Sequence, residues 1–133
     1  MVFGTFDGLH KGHLNLFKQA RRLAREPFLI VSIARDVNVK KIKGELPCLS
    51  ETDRALLIKK CKLVDKVILS GIKNHTAYII KENPDIIALG YDQKVYVEEL
   101  KKDFKSKGLK VKIVRLKPYK ETIYKNHLLK NKN

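Results

Sequence analysis

His10 and His13 stand three residues apart inside the stretch GTFDGLHKGH, with Gly4, Gly8 and Gly12 around them. At the start of a helix, both imidazoles can donate hydrogen bonds to phosphate oxygens. The glycines give a turn its freedom and let a ligand come close to the backbone. A helix opening near Gly12 adds N–H groups and the positive end of its dipole, which together favour an anion. The chemistry on offer is therefore the holding of a phosphate. Neither common phosphate motif is present, because the glycines do not give GxGxxG and no GK[ST] follows. Zinc held by His10, His13 and Asp7 is a second chemistry these residue types allow, although no further cysteine or histidine is suitably spaced. The plain alternative is a pair of polar residues at a helix start.

Other candidates are scattered along the chain. Lys40, Lys41 and Lys43 fall in a basic stretch, RDVNVKKIKG. Asp92 and Gln93 follow a glycine in LGYDQ, where Asp92 could instead cap the next helix. His75 and His127 read as surface residues. Tyr119 and Tyr124 in the tail could stack on a ring or simply pack.

These residues act together only if the fold gathers them. The pattern predicts a short strand at 1–3 and a helix over 12–25, with Leu14, Phe17, Ala20 and Ala24 at helical spacing. Pro27 ends that helix. Residues 28–34, FLIVSIA, form a near-continuous apolar run, as in a strand buried on both faces. RDVNVKKIKG is expected as a basic loop. A helix then opens with a capping box, Ser50 with Asp53, and carries Cys61. VDKVIL is a strand, 76–82 a short helix stopped at Asn83-Pro84, and DIIALG another buried strand. A helix over 95–107 turns Val97, Leu100 and Phe104 inward, and Gly108 closes it. VKIVRL is the last strand.

Such alternation means right-handed crossovers. The expected fold class is α/β: Rossmann-like, a mainly parallel sheet flanked by helices, in a single domain over 1–133. Residues 117–133 form a basic tail with one short helix. Ligands in such folds bind beyond the carboxyl ends of the strands. That places GTFDGLHKGH, ARDVNVKKIKG and LGYDQ at one edge.

Composition sets the bounds. The chain has 133 residues, 44% of them hydrophobic and 32% charged, with a net charge of +15. That charge favours anionic partners, among them nucleic acid, acidic membrane or phosphorylated small molecules. No apolar run is long enough for a membrane span, and no signal peptide opens the chain, so a cytoplasmic setting is expected. Cys48 and Cys61 lack CxxC spacing and read as reduced and structural.

Gly4, Phe6, Asp7, His10, Gly12 and His13 complete the pattern GxFDxxHxGH between a strand and a helix. In this the chain resembles the nucleotidyltransferase superfamily that includes the cytidylyltransferases. ARDVNVKKIKG, SETDR, VDKVIL and PDIIALGYDQ are similar, in order and spacing, to archaeal-type FAD synthases. The resemblance runs from Met1 to about Leu129. It implies transfer of AMP from ATP to FMN, giving FAD and pyrophosphate, with a divalent cation such as magnesium. Glycerol-3-phosphate cytidylyltransferases share the layout but typically carry a GDDW-like motif where this chain has GYDQ. A CTP-dependent enzyme acting on a polyol phosphate is thus the alternative. A basic nucleic-acid-binding module is the remote one, and aromatic content of 8% without tryptophan makes stacking platforms scarce.

The same resemblance implies roles. His10 and His13 contact the triphosphate and stabilise the transition state. Lys41 and Lys43, after the second strand, draw the substrates' phosphates together, with Lys41 among the catalytic groups. Gly4, Thr5 and Phe6 lie along the nucleotide, and Lys11 and Gly12 continue that contact. Asp7 is an orienter or a metal partner. Arg54 and Lys62 add charge. Gly90, Asp92 and Gln93 meet ribose and base. In the tail, IYKNHLL departs from the YKSS-like version of the flavin enzymes. Tyr124 and Lys125 fit it, while Asn126 and His127 replace its hydroxyls. Asn126 can still donate through its amide. A homodimer is also implied. Neither a membrane nor a specific nucleic acid is an expected partner.

Overall fold

Short, mostly apolar runs make the strands, and each of the first four is followed by a segment of helical period. The computed structural model describes residues 1–73, 76–91 and 97–118. The elements are β1 (Val2–Gly4), α1 (Lys11–Arg21), β2 (Ile30–Ile33), α2 (Asp36–Lys43), α3 (Glu51–Lys59), β3 (Lys66–Leu69), α4 (Ala77–Glu82), β4 (Ile86–Leu89), α5 (Val97–Ser106) and β5 (Lys112–Arg115).

All described strand pairs are parallel. Val2 lies opposite Val31, and Val31 opposite Val67. On the other side Ile87 lies opposite Ile113. The two groups of strands meet where the Ala88 N–H donates to the Met1 carbonyl at 2.9 Å. Across the molecule the order is therefore β3, β2, β1, β4, β5. The chain winds outward from β1 in one direction and then resumes beside it at β4. The crevice beyond the carboxyl ends of β1 and β4 is the topological switch point, where such folds bind ligands.

Helices cover both faces. Phe17 of α1 and Ile58 of α3 pack with Val2, Val31 and Ile33 on one face. Ile79 of α4 and Leu100 and Phe104 of α5 pack with Ile87 and Leu89 on the other. The central strands β2 and β4 are buried, while β3 and β5 expose their ends. The expected α/β fold with a parallel sheet flanked by helices is what the chain adopts.

Several boundaries differ from the expected ones. RDVNVKKIKG is not a loop. Val39 is buried, the backbone bonds close a helix, and Gly44 caps it with φ +86°. Of its three apolar residues only Val39 faces inward, while Val37 and Ile42 are exposed, so the apolar period is weak. α1 ends at Arg21 rather than running to residue 25, its last carbonyls bonded by Arg22 and Leu23. β2 begins at Ile30 because Phe28 points outward, 65% exposed. Cys61 lies just past α3, half-buried against the core, not on the helix. Ser50 caps α3, its hydroxyl accepting the Asp53 N–H at 3.1 Å, which is the serine half of the expected capping box. The expected helix in the tail lies outside the described residues. No helix among the described residues is long and apolar enough to cross a membrane.

Candidate active site

β1 ends at Gly4, and residues 5–10 carry the chain over the switch point into α1. Phe6 turns its ring back under β1, 3% exposed, at the cost of a left-handed backbone with φ +54°. A side chain at Gly4 would place its Cβ 2.7 Å from that ring. Gly8 takes φ +127°, which favours glycine. Gly4 was expected to admit a ligand, and its immediate neighbour is instead the ring of Phe6. A strained non-glycine residue at a strand's carboxyl end is the kind of outlier that marks a working turn.

His10 is the N-cap of α1. Its Nδ1 accepts the Gly12 N–H at 3.0 Å, and the His10 N–H donates to His13 Nδ1 at 3.4 Å. The rings stack with centroids 3.7 Å apart and planes 23° from parallel. Phe6 holds His13 from below, edge-on, at 5.1 Å. In a neutral imidazole whose Nδ1 accepts, the proton sits on Nε2, so the backbone selects the tautomer that donates outward. A Cβ on Gly12 would come within 2.9 Å of His10 Cε1, which is why a small residue stands there. No acidic side chain occupies the first turn of α1. Its dipole is left for an anion.

Asp7 does something the sequence did not suggest. Its two oxygens accept the Cys48 N–H at 2.7 Å and the Leu49 N–H at 2.8 Å. The Leu49 N–H, then the Cys48 N–H, holds its carboxyl below the usual range. Asp7 thus fastens the segment before α3 to the signature turn. Both of its oxygens are turned to that segment, a geometry that suits an orienter. Among the described residues no group of three or more His, Cys, Asp and Glu side chains could hold a metal ion.

Arg54 departs further from expectation. It was expected to add charge at the site, but it is 0% exposed. Its guanidinium donates to the Thr5 carbonyl at 2.6 Å, the Leu49 carbonyl at 3.1 Å and Asp36 Oδ1 at 2.6 Å. It is a strut under the turn. The clue was its helical register, one turn before Ile58 on the core face of α3. Lys62 is exposed beyond the end of α3.

Lys40, Lys41 and Lys43 are exposed on the last turn of α2, whose start Asp36 ties to Arg54. Burial works against the Asp36 carboxylate, but Arg54, the Glu51 N–H and Arg35 outweigh it and hold it below the usual range. Lys11 is exposed in the first turn of α1. Gly90 follows β4 at the same edge, its carbonyl accepting from Arg115 at 2.9 Å. Asp92, Gln93, Tyr119, Tyr124, Lys125, Asn126 and His127 lie outside the described residues, as does His75. A cavity of about 360 Å³ opens at the opposite end of the sheet, among Met1, Phe28, Ile30 and Pro84, and takes no part in this site.

A family model described as cytidylyltransferase-like matches residues 1–128. A protein of Korarchaeum cryptofilum named FAD synthase is 44% identical over 117 residues, covering 87% of this chain and 79% of that one. FAD synthases of Aciduliprofundum boonei and Thermoplasma volcanium are 39% and 40% identical, each over 90% of this chain and 78% and 82% of their own. A crystal structure titled as a lipopolysaccharide core biosynthesis protein from Thermoplasma volcanium superposes with a TM-score of 0.80. It is 39% identical, covering 90% of this chain and 95% of that one.

Proposed function

The chain belongs to the cytidylyltransferase-like family, and from that premise we propose that it is an FMN adenylyltransferase, joining ATP and FMN to give FAD and pyrophosphate. The observation that carries this reading is the likeness of nearly the whole chain to proteins named FAD synthase. A phosphate oxygen of FMN attacks the α-phosphorus of ATP, and the bond to the β-phosphate oxygen breaks as pyrophosphate leaves. No covalent intermediate on the protein is needed. Negative charge grows on the α-phosphate oxygens and on the leaving group, so positioning and charge neutralisation do the catalysis.

His10 and His13 supply Nε2–H donors to the triphosphate at the helix start. Thr5 and Phe6 offer backbone along the nucleotide, beside Gly4 and Gly12. Lys41 and Lys43 bring together two substrates that repel each other, and Lys11 adds charge. Asp7 orients. Gly90, Asp92 and Gln93 meet ribose and base, Tyr119 or Tyr124 stacks on a ring, and Asn126 donates to a phosphate. The divalent cation arrives with ATP as part of the substrate. The enzyme acts as a homodimer in the cytoplasm.

Incubation with FMN, ATP and magnesium is expected to yield FAD by chromatography. Pyrophosphate release is followed in parallel with CTP and glycerol 3-phosphate. Turnover confined to CTP and the polyol phosphate would replace the acceptor and the nucleotide in this reading. Absence of product with any pair would remove it, and steeply salt-dependent oligonucleotide binding would then favour a nucleic-acid module.

A further inference from the structure

We infer that Glu51 is a positioning residue for the reaction, setting the attitude of α2, the helix that carries Lys41 and Lys43. This rests on the function proposed above. The starting point is a helix with no cap of its own. Arg35 occupies the N-cap position of α2 and makes no side-chain cap, as expected of a group with no acceptor. The first N–H groups of a helix still need acceptors. Glu51 provides one from the next helix: its Oε1 accepts the Asp36 N–H at 2.9 Å. Its Oε2 accepts from Arg35 Nε at 2.8 Å.

Asp36 returns the bond. Its Oδ2 accepts the Glu51 N–H at 3.1 Å, so the first residue of each helix caps the other. Its Oδ1 accepts from Arg54, whose other arm holds the Thr5 carbonyl. The chain of contacts from signature turn to lysine helix is thus Thr5, Arg54, Asp36, Glu51. Every link is a charged side chain or a backbone group bound to one.

The lever is long enough to matter. α2 has eight residues, about 12 Å at 1.5 Å per residue. A tilt of about 10° at its first turn moves the lysine end by about 2 Å. A misplacement of about 1 Å can cost on the order of 100-fold in rate. Past the Asp36 link, α2 is held by buried Val39 and by Asn38 Nδ2, which donates to the Gly71 and Ile72 carbonyls at 3.4 Å, so the turn that carries Lys41 and Lys43 is the far end of the lever.

The test compares wild type, Glu51→Ala and Glu51→Gln by amide hydrogen exchange and by steady-state kinetics with ATP and FMN. In Glu51→Ala, exchange across residues 36–43 rises about fivefold, as for a lost cap of ordinary strength, while α1 keeps its protection. kcat falls roughly 10- to 100-fold and the KM values change less. Glu51→Gln retains an oxygen for the Asp36 N–H and recovers part of both effects. Unchanged exchange in α2 overturns the inference, and so does a loosened α2 with wild-type kcat. If Glu51→Ala does not fold, Glu51→Gln decides by the same two criteria. A wild-type enzyme that makes no FAD defeats the function and the catalytic half of the inference together. The exchange data then still decide whether Glu51 holds the helix.

Discussion

His10 and His13 stack face to face, ring centroids 3.7 Å apart, and each commits its Nδ1 to the backbone at the start of α1. Capping thereby falls to Nδ1, and the phosphate contact proposed above falls to Nε2, the other nitrogen of the ring. His10→Asn keeps an oxygen that can cap Gly12 but has nothing where Nε2 stood. It is expected to melt near the wild-type temperature while losing about 100- to 10,000-fold in turnover. His10→Ala loses the donor and the cap, with a similar rate loss and about 1 kcal/mol of stability besides. Thermal denaturation beside FAD formation separates the two. Wild-type turnover in His10→Asn would remove Nε2 from the chemistry.

The two tight glycines are expected to fail in opposite ways. At Gly12 a Cβ meets the His10 ring, an exposed side chain that can swing aside. Gly12→Ala should therefore change stability by less than about 1 kcal/mol and cut turnover at least about tenfold by misaiming the imidazole. At Gly4 the Cβ meets Phe6, which is buried and has no room to yield. Gly4→Ala should lose about 1–3 kcal/mol in denaturant unfolding. Equal stability losses in the two variants would contradict this division.

The parallel α/β order was legible because Ile, Val and Leu runs such as FLIVSIA and DIIALG alternate with helical segments. The turn into α1 was legible because the glycine and histidine spacing is dense and local. What stayed hidden is non-local. Asp7 reaches Cys48 and Leu49, 41 and 42 residues away. Arg54 reaches Thr5 across 49. No short-range pattern encodes such bonds, and a lone arginine on an apolar face reads as surface charge. α2 was missed because its start is capped by Glu51, 15 residues away, and not by a neighbouring serine or aspartate.

Asp7 sets an expectation for acid. Its folded carboxyl is held down, first by the Leu49 N–H and then by the Cys48 N–H. A depressed folded pKa contributes stability that is present above the unfolded value, 3.8, and is lost as pH falls through the folded value. Asp65 acts in the same direction, through the Leu29 N–H against an opposing cost of burial, with Arg21 adding to it. Unfolding measured in denaturant from pH 6 down to pH 2 should steepen below about pH 4. Asp7→Asn should lose part of that pH dependence and start from a lower plateau, because an amide turns an N–H towards one of the two backbone donors. An unaltered acid profile in the variant would show that the carboxylate does not fasten the segment.

The largest single loss is expected at Arg54. A wholly buried guanidinium answers three acceptors on three segments, so its removal takes the partner from the Thr5 and Leu49 carbonyls and from Asp36 Oδ1 together. Arg54→Met fills most of the space and none of those needs. Breaking a buried ion pair costs about 3–5 kcal/mol, and Asp36 keeps 28% of its side chain in solvent, which sets the figure at about 3 kcal/mol. Arg54→Lys offers one point charge in place of a planar fork and should recover only part of it. Asp36→Asn alone also weakens the cap on Glu51. The Arg54→Met, Asp36→Asn double variant should then be less destabilised than the sum of the singles, by at least about 0.5 kcal/mol. Equilibrium urea unfolding of the four proteins measures this. Strict additivity, or a loss under about 1 kcal/mol in Arg54→Met, would mean that the signature turn stands without its strut.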